Sequence, residues 1–281
     1  MPGDQPMSEN LLAIDVGNTQ TVIGLYDLAA TGTEAADGLI DHWRVSTDLD
    51  RTADELAATL AGFLRFSGTR FDDLTGVAVC SGVPRVQAIV RTLSDRYLDF
   101  EPIVIGPGIK TGMPIRYDNP REVGADRIAN AIAAYELYGG PSIIVDFGTG
   151  NNYDIVSENG EFMGGAIAPG IEVSMDALIG RASALSSIEL VEPRSVIGKS
   201  TAESLQSGAV YGFAASVDGM VARFQSELGG EAVVVATGGL APVIAPVAST
   251  IEHVEPFLTL HGLRLVYERN VSERNTGPDH Q

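Results

Sequence analysis

Two stretches of this chain repeat one design, and that repeat limits the available folds more than any other feature of the sequence. Residues 11–28 read L-L-A-I-D-V-G-N-T-Q-T-V-I-G-L-Y-D-L. The apolar run 11–16 predicts a buried strand. Gly17-Asn18-Thr19-Gln20 predicts a tight turn, because Gly and Asn tolerate positive φ. Residues 21–28 predict a second strand returning beside the first. At Ser142 the pattern recurs: S-I-I-V-D-F over 142–147 predicts a strand, Gly148-Thr149-Gly150-Asn151 a turn, and 152–157 a strand. Glu158-Asn159-Gly160 then carries the Asn-Gly hairpin signal ahead of a third strand over 161–167. Asp15 and Asp146 stand at corresponding places in two halves. The chain reads as an internal duplication of a three-stranded unit, each copy followed by helices and further strands.

A turn rich in backbone N–H groups and hydroxyls at a strand end can wrap phosphate oxygens, and a carboxylate beside it can position a hydrated metal ion. A plain hairpin has the same signature when it occurs once. A matched pair favours a nucleotide-phosphate clamp, with one turn contributed by each half. The other elements fit such halves. Residues 42–46 predict a third strand. Thr52-Ala53-Asp54-Glu55 has the capping-box pattern and opens a helix through Phe66. A strand over 75–83, a helix over 85–98 and a strand over 102–105 follow. Residues 106–119 form a loop rich in Gly and Pro, and such loops are often functional. From Pro120 or Arg121 a helix runs to about Tyr138, with Ile128, Ile132 and Tyr135 inward. Helices over 173–184, 201–228, 240–249 and from 259 to about 269, with a strand over 232–236, complete the reading.

Composition excludes some functions. The formal net charge of −19 leaves no basic stripe for nucleic acid as the main partner. Apolar residues make up 44% of the chain, enough for a core, yet no run is long enough to span a membrane. The polar opening M-P-G-D-Q-P-M-S-E-N lacks a signal pattern, so cytoplasm is the expected compartment. The single Cys80 forms no internal disulfide and reads as a small core residue. His42, His253, His261 and His280 show no metal spacing. Gly198-Lys199-Ser200 looks like the end of a P-loop, but Pro193 stands where that motif needs Gly. No G-x-G-x-x-G opens a helix after the first strand, which argues against a dinucleotide fold. Gly164-Gly165 with Pro169-Gly170 is either a close approach to a ligand or a tight turn.

With both turns placed, the chain resembles the acetate and sugar kinase, Hsc70 and actin superfamily, and within it the type III pantothenate kinases. The resemblance runs from about Leu11 to Asn270. It rests on I-D-V-G-N-T, Y-D-N-P-R-E-V-G-A-D-R-I-A-N-A, D-F-G-T, G-G-A-I-A-P-G-I, V-I-G-K-S-T-A-E-S-L-Q-S-G, A-T-G-G-L-A-P and P-F-L-T-L-H-G-L-R-L-V-Y-E-R-N, in order. It implies an α/β fold of duplicated actin-like (ribonuclease H-like) domains, each a mixed sheet with flanking helices, with a cleft between them. The expected halves are 10–120 and 121–270, with flexible tails over 1–9 and 271–281.

The resemblance also implies ATP-dependent phosphorylation of pantothenate by a homodimer. It makes Asp15, Val16, Gly17, Asn18, Thr19, Gln20, Thr21 and Val22 the first ATP loop, with Thr149 ATP-binding in the second. Asp146 matches the ligand of a monovalent cation, potassium or ammonium, needed besides magnesium. Tyr117, Gly124, Ala125, Asp126, Arg127 and Thr201 match pantothenate-binding positions, and Asp126 matches the catalytic base. The residues agree: a carboxylate in reach of a primary hydroxyl takes its proton as it attacks the γ-phosphate, and Arg127 suits a substrate carboxylate. Alternatively, Asp126 only complements a helix dipole, Arg127 is a solvated charge, Thr201 is a helix N-cap and Tyr117 packs the loop. One stretch departs from the family. Where most members read D-F-G-T-A-T-T, this chain has Gly150-Asn151-Asn152 after Thr149. Two rival functions therefore stand beside the first: a non-catalytic or regulatory homologue, and a kinase for another small hydroxylated substrate.

Overall fold

The computed structural model describes residues 9–30, 34–106, 108–182 and 188–276. The leader expected over 1–9 lies outside these residues except for Glu9, as do the far end of the C-terminal tail and the last residues of the helix expected to reach 184. Strands β1 (Asn10–Val16), β2 (Gln20–Asp27) and β3 (Leu39–Ser46) form an antiparallel meander. Strand β4 (Leu74–Ser81) pairs parallel to the other side of β1, and β5 (Ile103–Val104) extends it, giving the order β3-β2-β1-β4-β5. Helices α1 (Ala53–Phe66) and α2 (Pro84–Tyr97) connect these strands. Helix α1 opens on the expected capping box at Thr52, and α2 on Pro84, whose missing N–H costs nothing in a first turn.

The second sheet repeats the first. Strands β6 (Ser142–Phe147), β7 (Gly150–Val156) and β8 (Phe162–Pro169) form the meander, and β9 (Val233–Thr237) and β10 (His253–Val254) extend it in parallel from β6. Its order is β8-β7-β6-β9-β10. Strand for strand this matches the first sheet, so the duplication read from two Asp-Gly turns extends to the strands the sequence pattern did not relate. The fold is a duplicated actin-like one.

Each sheet has its own core. In the first, Leu12, Ile14, Ile23 and Leu25 pack with Leu60 and Leu64 of α1 and Val90 of α2. In the second, Ile143, Val145, Phe147 and Tyr153 pack with Val210, Val217 and Val221 of α5 (Thr201–Leu228). Burying each such side chain contributes about 1.5–3 kcal/mol. By packing, one compact unit comprises the described residues up to Met113, Asp118–Ala133 and those from Phe257 onward. The other comprises Pro114–Tyr117 and Ala134–Pro256. The division expected near residue 120 follows the repeat. Packing instead assigns the start of α3 (Ala125–Tyr138) and all described residues of α7 (Leu258–Thr276) to the first sheet.

Several boundaries differ from expectation. Helix α3 begins at Ala125, after a separate 3-10 turn over Pro120–Glu122, because Val123 takes an extended conformation between them. Strand β7 already includes Gly150 and Asn151, which narrows the second turn to Gly148-Thr149. The helix expected over 240–249 is only α6 (Ala241–Ile244), followed by a 3-10 turn over Ala245–Val247, since Pro246 cannot donate the next helical hydrogen bond. Helix α4 spans Ile171–Arg181, and β10 was not anticipated. Helix α7 continues to Thr276, so the tail expected from 271 is helical that far.

Candidate active site

The first turn is set by register. Asp15 pairs with Val22 and Val16 with Thr21 at the end of the β1–β2 ladder, and the Gly17 N–H closes the turn on the Gln20 carbonyl at 3.1 Å. The chain just after β3 pins it from the side. Thr47 Oγ1 donates to the Gly17 carbonyl at 2.8 Å and lies 2.9 Å from Thr21 Oγ1, while the Thr47 N–H donates to the Thr19 carbonyl at 3.0 Å. Arg44 Nη1 donates to Gln20 Oε1 at 2.7 Å. Thr21 is thereby buried, Val16 and Val22 flank the turn, and Asn18, Thr19 and Gln20 are exposed at its tip. Neither Thr47 nor Arg44 carried a sequence signal, because their partners lie more than twenty residues away.

Asp15 is partly buried, and the Cys80 thiol on β4 donates to its Oδ1 at 3.0 Å. Burial pushes the Asp15 carboxyl up to about 6, the Cys80 hydrogen bond opposes that, the negative Asp126 adds to it and Arg44 opposes it. Cys80 is thus a buried core residue with a polar task besides. Asp126 sits in the first turn of α3 in the same unit, and its Oδ1 accepts from the Arg127 N–H at 2.9 Å. That rotamer depends on Gly124: a Cβ there would lie 2.4 Å from Asp126 Oδ1. Arg127 is 6% exposed, which rules out a solvated charge. Around it α3 is buried on every side from Arg127 to Ala134, more than the single inward face expected, and Tyr135 is only partly covered.

The raised Asp15 pKa fixes the sign of a pH effect. Its protonated form stabilises the fold fully below about 3.8, the ordinary value, and that contribution is lost as pH rises through about 6. Buried His261 acts oppositely. Burial, then the Arg264 charge, pushes it down to about 4, so its contribution is present above 6.5 and lost as pH falls through about 4. The difference between Asp15→Asn and wild type isolates the first group. The variant is expected to gain stability relative to wild type as pH rises from 5 to 7, read as the shift in urea midpoint. A constant difference would mean that Asp15 is not desolvated.

The second turn stands at the corresponding strand end but is one residue shorter than the first. Asp146 pairs with Asn152 and Phe147 with Asn151, and the Gly148 N–H closes the turn on the Gly150 carbonyl at 3.1 Å. The Gly170 N–H donates to the Thr149 carbonyl at 3.0 Å from the side. The two unusual amides diverge. Asn151 is 1% exposed on the face of β7 that packs toward α5, near the Tyr153 hydroxyl, while Asn152 takes the opposite face across from Asp146. The departure from the family pattern is therefore carried by the strand, and the turn still closes, on a carbonyl two residues on where its counterpart closes three residues on. Asp146 Oδ1 and the Phe147 carbonyl converge on Gly238 after β9, where a Cβ would come within 2.6 Å of each. These are oxygen donors, the type suited to a hard cation. Among the described residues no group of three or more His, Cys, Asp and Glu forms a metal cage.

Tyr117 belongs to the second unit, beside β8. Thr201 is the first residue of α5, but it is not the N-cap: Ser200 is, its Oγ accepting from the Glu203 N–H at 3.2 Å. Among the described residues no helix is long and apolar enough to cross a membrane.

Comparison with known proteins adds a family and a fold. The sequence profile described as "Type III pantothenate kinase" matches residues 11–223. A protein of that name from Acidothermus cellulolyticus is 54% identical over 94% of this chain and 100% of its own length. One from Moorella thermoacetica is 51% identical over 92% of this chain and 99% of its own. A solved structure of a conserved Baf family protein from Campylobacter jejuni superposes with a TM-score of 0.56 at 17% identity, covering 93% of this chain and 99% of that one, a likeness of fold alone.

Proposed function

We infer the chemistry from one premise: this chain belongs to the type III pantothenate kinase family. It phosphorylates pantothenate with ATP, the first step of coenzyme A biosynthesis. The observation that carries this reading over a non-catalytic homologue is that the second turn still closes at the end of its ladder, one residue shorter than the first, with Thr149 at its tip despite Gly150-Asn151-Asn152.

Asp126 is the base. Its carboxylate takes the proton of the pantothenate hydroxyl as the oxygen attacks the γ-phosphate in line. Gly124 and Ala125 hold the approach to it, and Arg127, Tyr117 and Thr201 bind pantothenate, Arg127 through the substrate carboxylate. The turn 15–22 and Thr149 bind the phosphates of ATP. Magnesium bound with ATP spreads the negative charge of the transferring group. Asp146 and the Phe147 carbonyl hold the monovalent cation, potassium or ammonium. The protein works as a cytoplasmic homodimer. In support of dimerisation, edge strand β8 exposes Met163 and Ile167, at 45% and 67%, two apolar side chains that favour a partner.

The test is ADP release with ATP, magnesium, potassium and a panel of acceptors. Pantothenate-dependent turnover is expected. It should fall when sodium replaces potassium, and Asp146→Ala should remove that cation response. Preference for a sugar would identify a kinase for another substrate. No turnover from folded protein under any monovalent cation would identify a non-catalytic homologue.

A further inference from the structure

The four residues Pro114–Tyr117 leave the first unit to join the second, while their neighbours on both sides remain in the first. They attach to the start of β8. The Phe162 N–H donates to the Pro114 carbonyl at 2.9 Å, the Arg116 N–H donates to the Phe162 carbonyl at 2.8 Å, and Ile115 bridges Phe162 in parallel. Outside this ladder Arg116 Nε donates to Glu161 Oε1 at 2.8 Å. The segment is a one-bridge strand clipped to the sheet edge, and its last residue is Tyr117.

The clip determines where the Tyr117 ring lies. The ring tilts against Phe162, with centroids 6.4 Å apart, and it covers Gly164. A Cβ on Gly164 would stand 3.4 Å and 3.5 Å from two ring carbons, ordinary van der Waals contact, so the ring rests directly on this stretch of backbone and follows its course. Gly164 also has φ +113°, which side-chain-bearing residues rarely adopt. Glycine is required by the bend in the strand, and because the ring rests on that bend, a substitution that strains the backbone there moves the surface under Tyr117. The Gly-Gly pair that sequence alone left open between ligand approach and turn is thus a bend in an edge strand, with a tyrosine seated on it.

We propose that Gly164 is a positioning residue for Tyr117, and that the 114–117 clip and Gly164 together set the affinity for the pantothenate acceptor without setting that for ATP. This rests on Tyr117 binding pantothenate, so the experiment separates the two claims. The KM values for pantothenate and ATP are measured in wild type, Gly164→Ala, Arg116→Ala, Tyr117→Ala and the double variants with Tyr117→Ala. Gly164→Ala should raise the pantothenate KM about tenfold, equivalent to about 1.4 kcal/mol, and leave the ATP KM within about twofold. Arg116→Ala, which only loosens the clip, should raise the same KM about threefold. In the Tyr117→Ala background both substitutions should have no further effect on the pantothenate KM, a silence that a general loss of structure would not produce. If Tyr117→Ala leaves the pantothenate KM unchanged, the assignment of Tyr117 fails. If Tyr117→Ala raises it but Gly164→Ala does not, or if the effects simply add, the positioning role fails. Should Gly164→Ala not fold, Arg116→Ala decides by the same criteria.

Discussion

Asp126→Asn is expected to lower kcat by about 10²–10⁴-fold, the range typical of a general base, while changing the KM for ATP less than about threefold. The substitution removes a proton acceptor and little else. Asn keeps the size of the side chain, and its amide oxygen can still accept from the Arg127 N–H, as Asp126 Oδ1 does at 2.9 Å. The wall against Gly124 also remains. A second consequence separates this from simple misfolding. Asp126 adds a negative charge that raises the Asp15 pKa, so its removal lets Asp15 ionise at lower pH. The variant should therefore lose turnover without losing nucleotide binding, measured by isothermal titration with a non-hydrolysable ATP analogue. Retention of more than about a tenth of wild-type kcat would assign the base elsewhere.

Gly262→Ala is expected to cost about 1–3 kcal/mol of stability and to lower Tm by roughly 2–10 °C. Gly262 lies on α7, against the backbone of α3. A Cβ there would stand 2.1 Å from the Ala129 carbonyl oxygen and 2.5 Å from its carbon. No side chain can rotate out of the way, so the helices must part. The Thr259 hydroxyl lies 2.7 Å from Asn130 Oδ1 beside the same contact. Ala129 is one helical turn from Asp126, so parting the helices displaces Asp126, the proposed base, and is expected to lower kcat as well. Helix α5 supplies the contrast. Gly212 meets nothing within 4 Å, so Gly212→Ala should stabilise by up to about 1 kcal/mol through helix propensity alone. Calorimetry of both variants tests the pair. Equal Tm values would show that α7 does not press on α3.

What sequence reveals here divides by distance along the chain. The two hairpins, the capping box at Thr52 and the full span of α5 were legible because periodicity and turn chemistry are local. The matched strand order of the two sheets was only half legible: the meanders repeat visibly, but β10, two residues long, carries no pattern. Helix α6 was overestimated because its apolar spacing continues through Pro246, where the backbone stops being α-helical. At the site, the turn residues and Asp126 were recognisable as motifs. The residues that hold them in place were not. Cys80 and Thr47 act through partners 65 and 30 residues away, and nothing in a linear pattern relates such positions. Asn151 and Asn152 looked like one departure in a loop. The pleat of β7 separates them, one into the core and the other toward Asp146's face.

Helix α7 also bears on how the protein comes into being. It is made after every other described element, yet it closes onto the sheet that β1 begins: the Tyr267 hydroxyl reaches the Thr75 carbonyl at 2.8 Å, and Arg264 donates to the Asp37 and Ala30 carbonyls. Apart from Pro114–Tyr117, the second unit is one continuous run that does not include α7. During translation the sheet synthesised first must therefore wait, incomplete, until α7 has left the ribosome. The sheet synthesised second can close earlier, so the order of maturation reverses the order of synthesis. A nascent chain stalled before residue 257 would expose the apolar strands of its own beginning to chaperones and proteases.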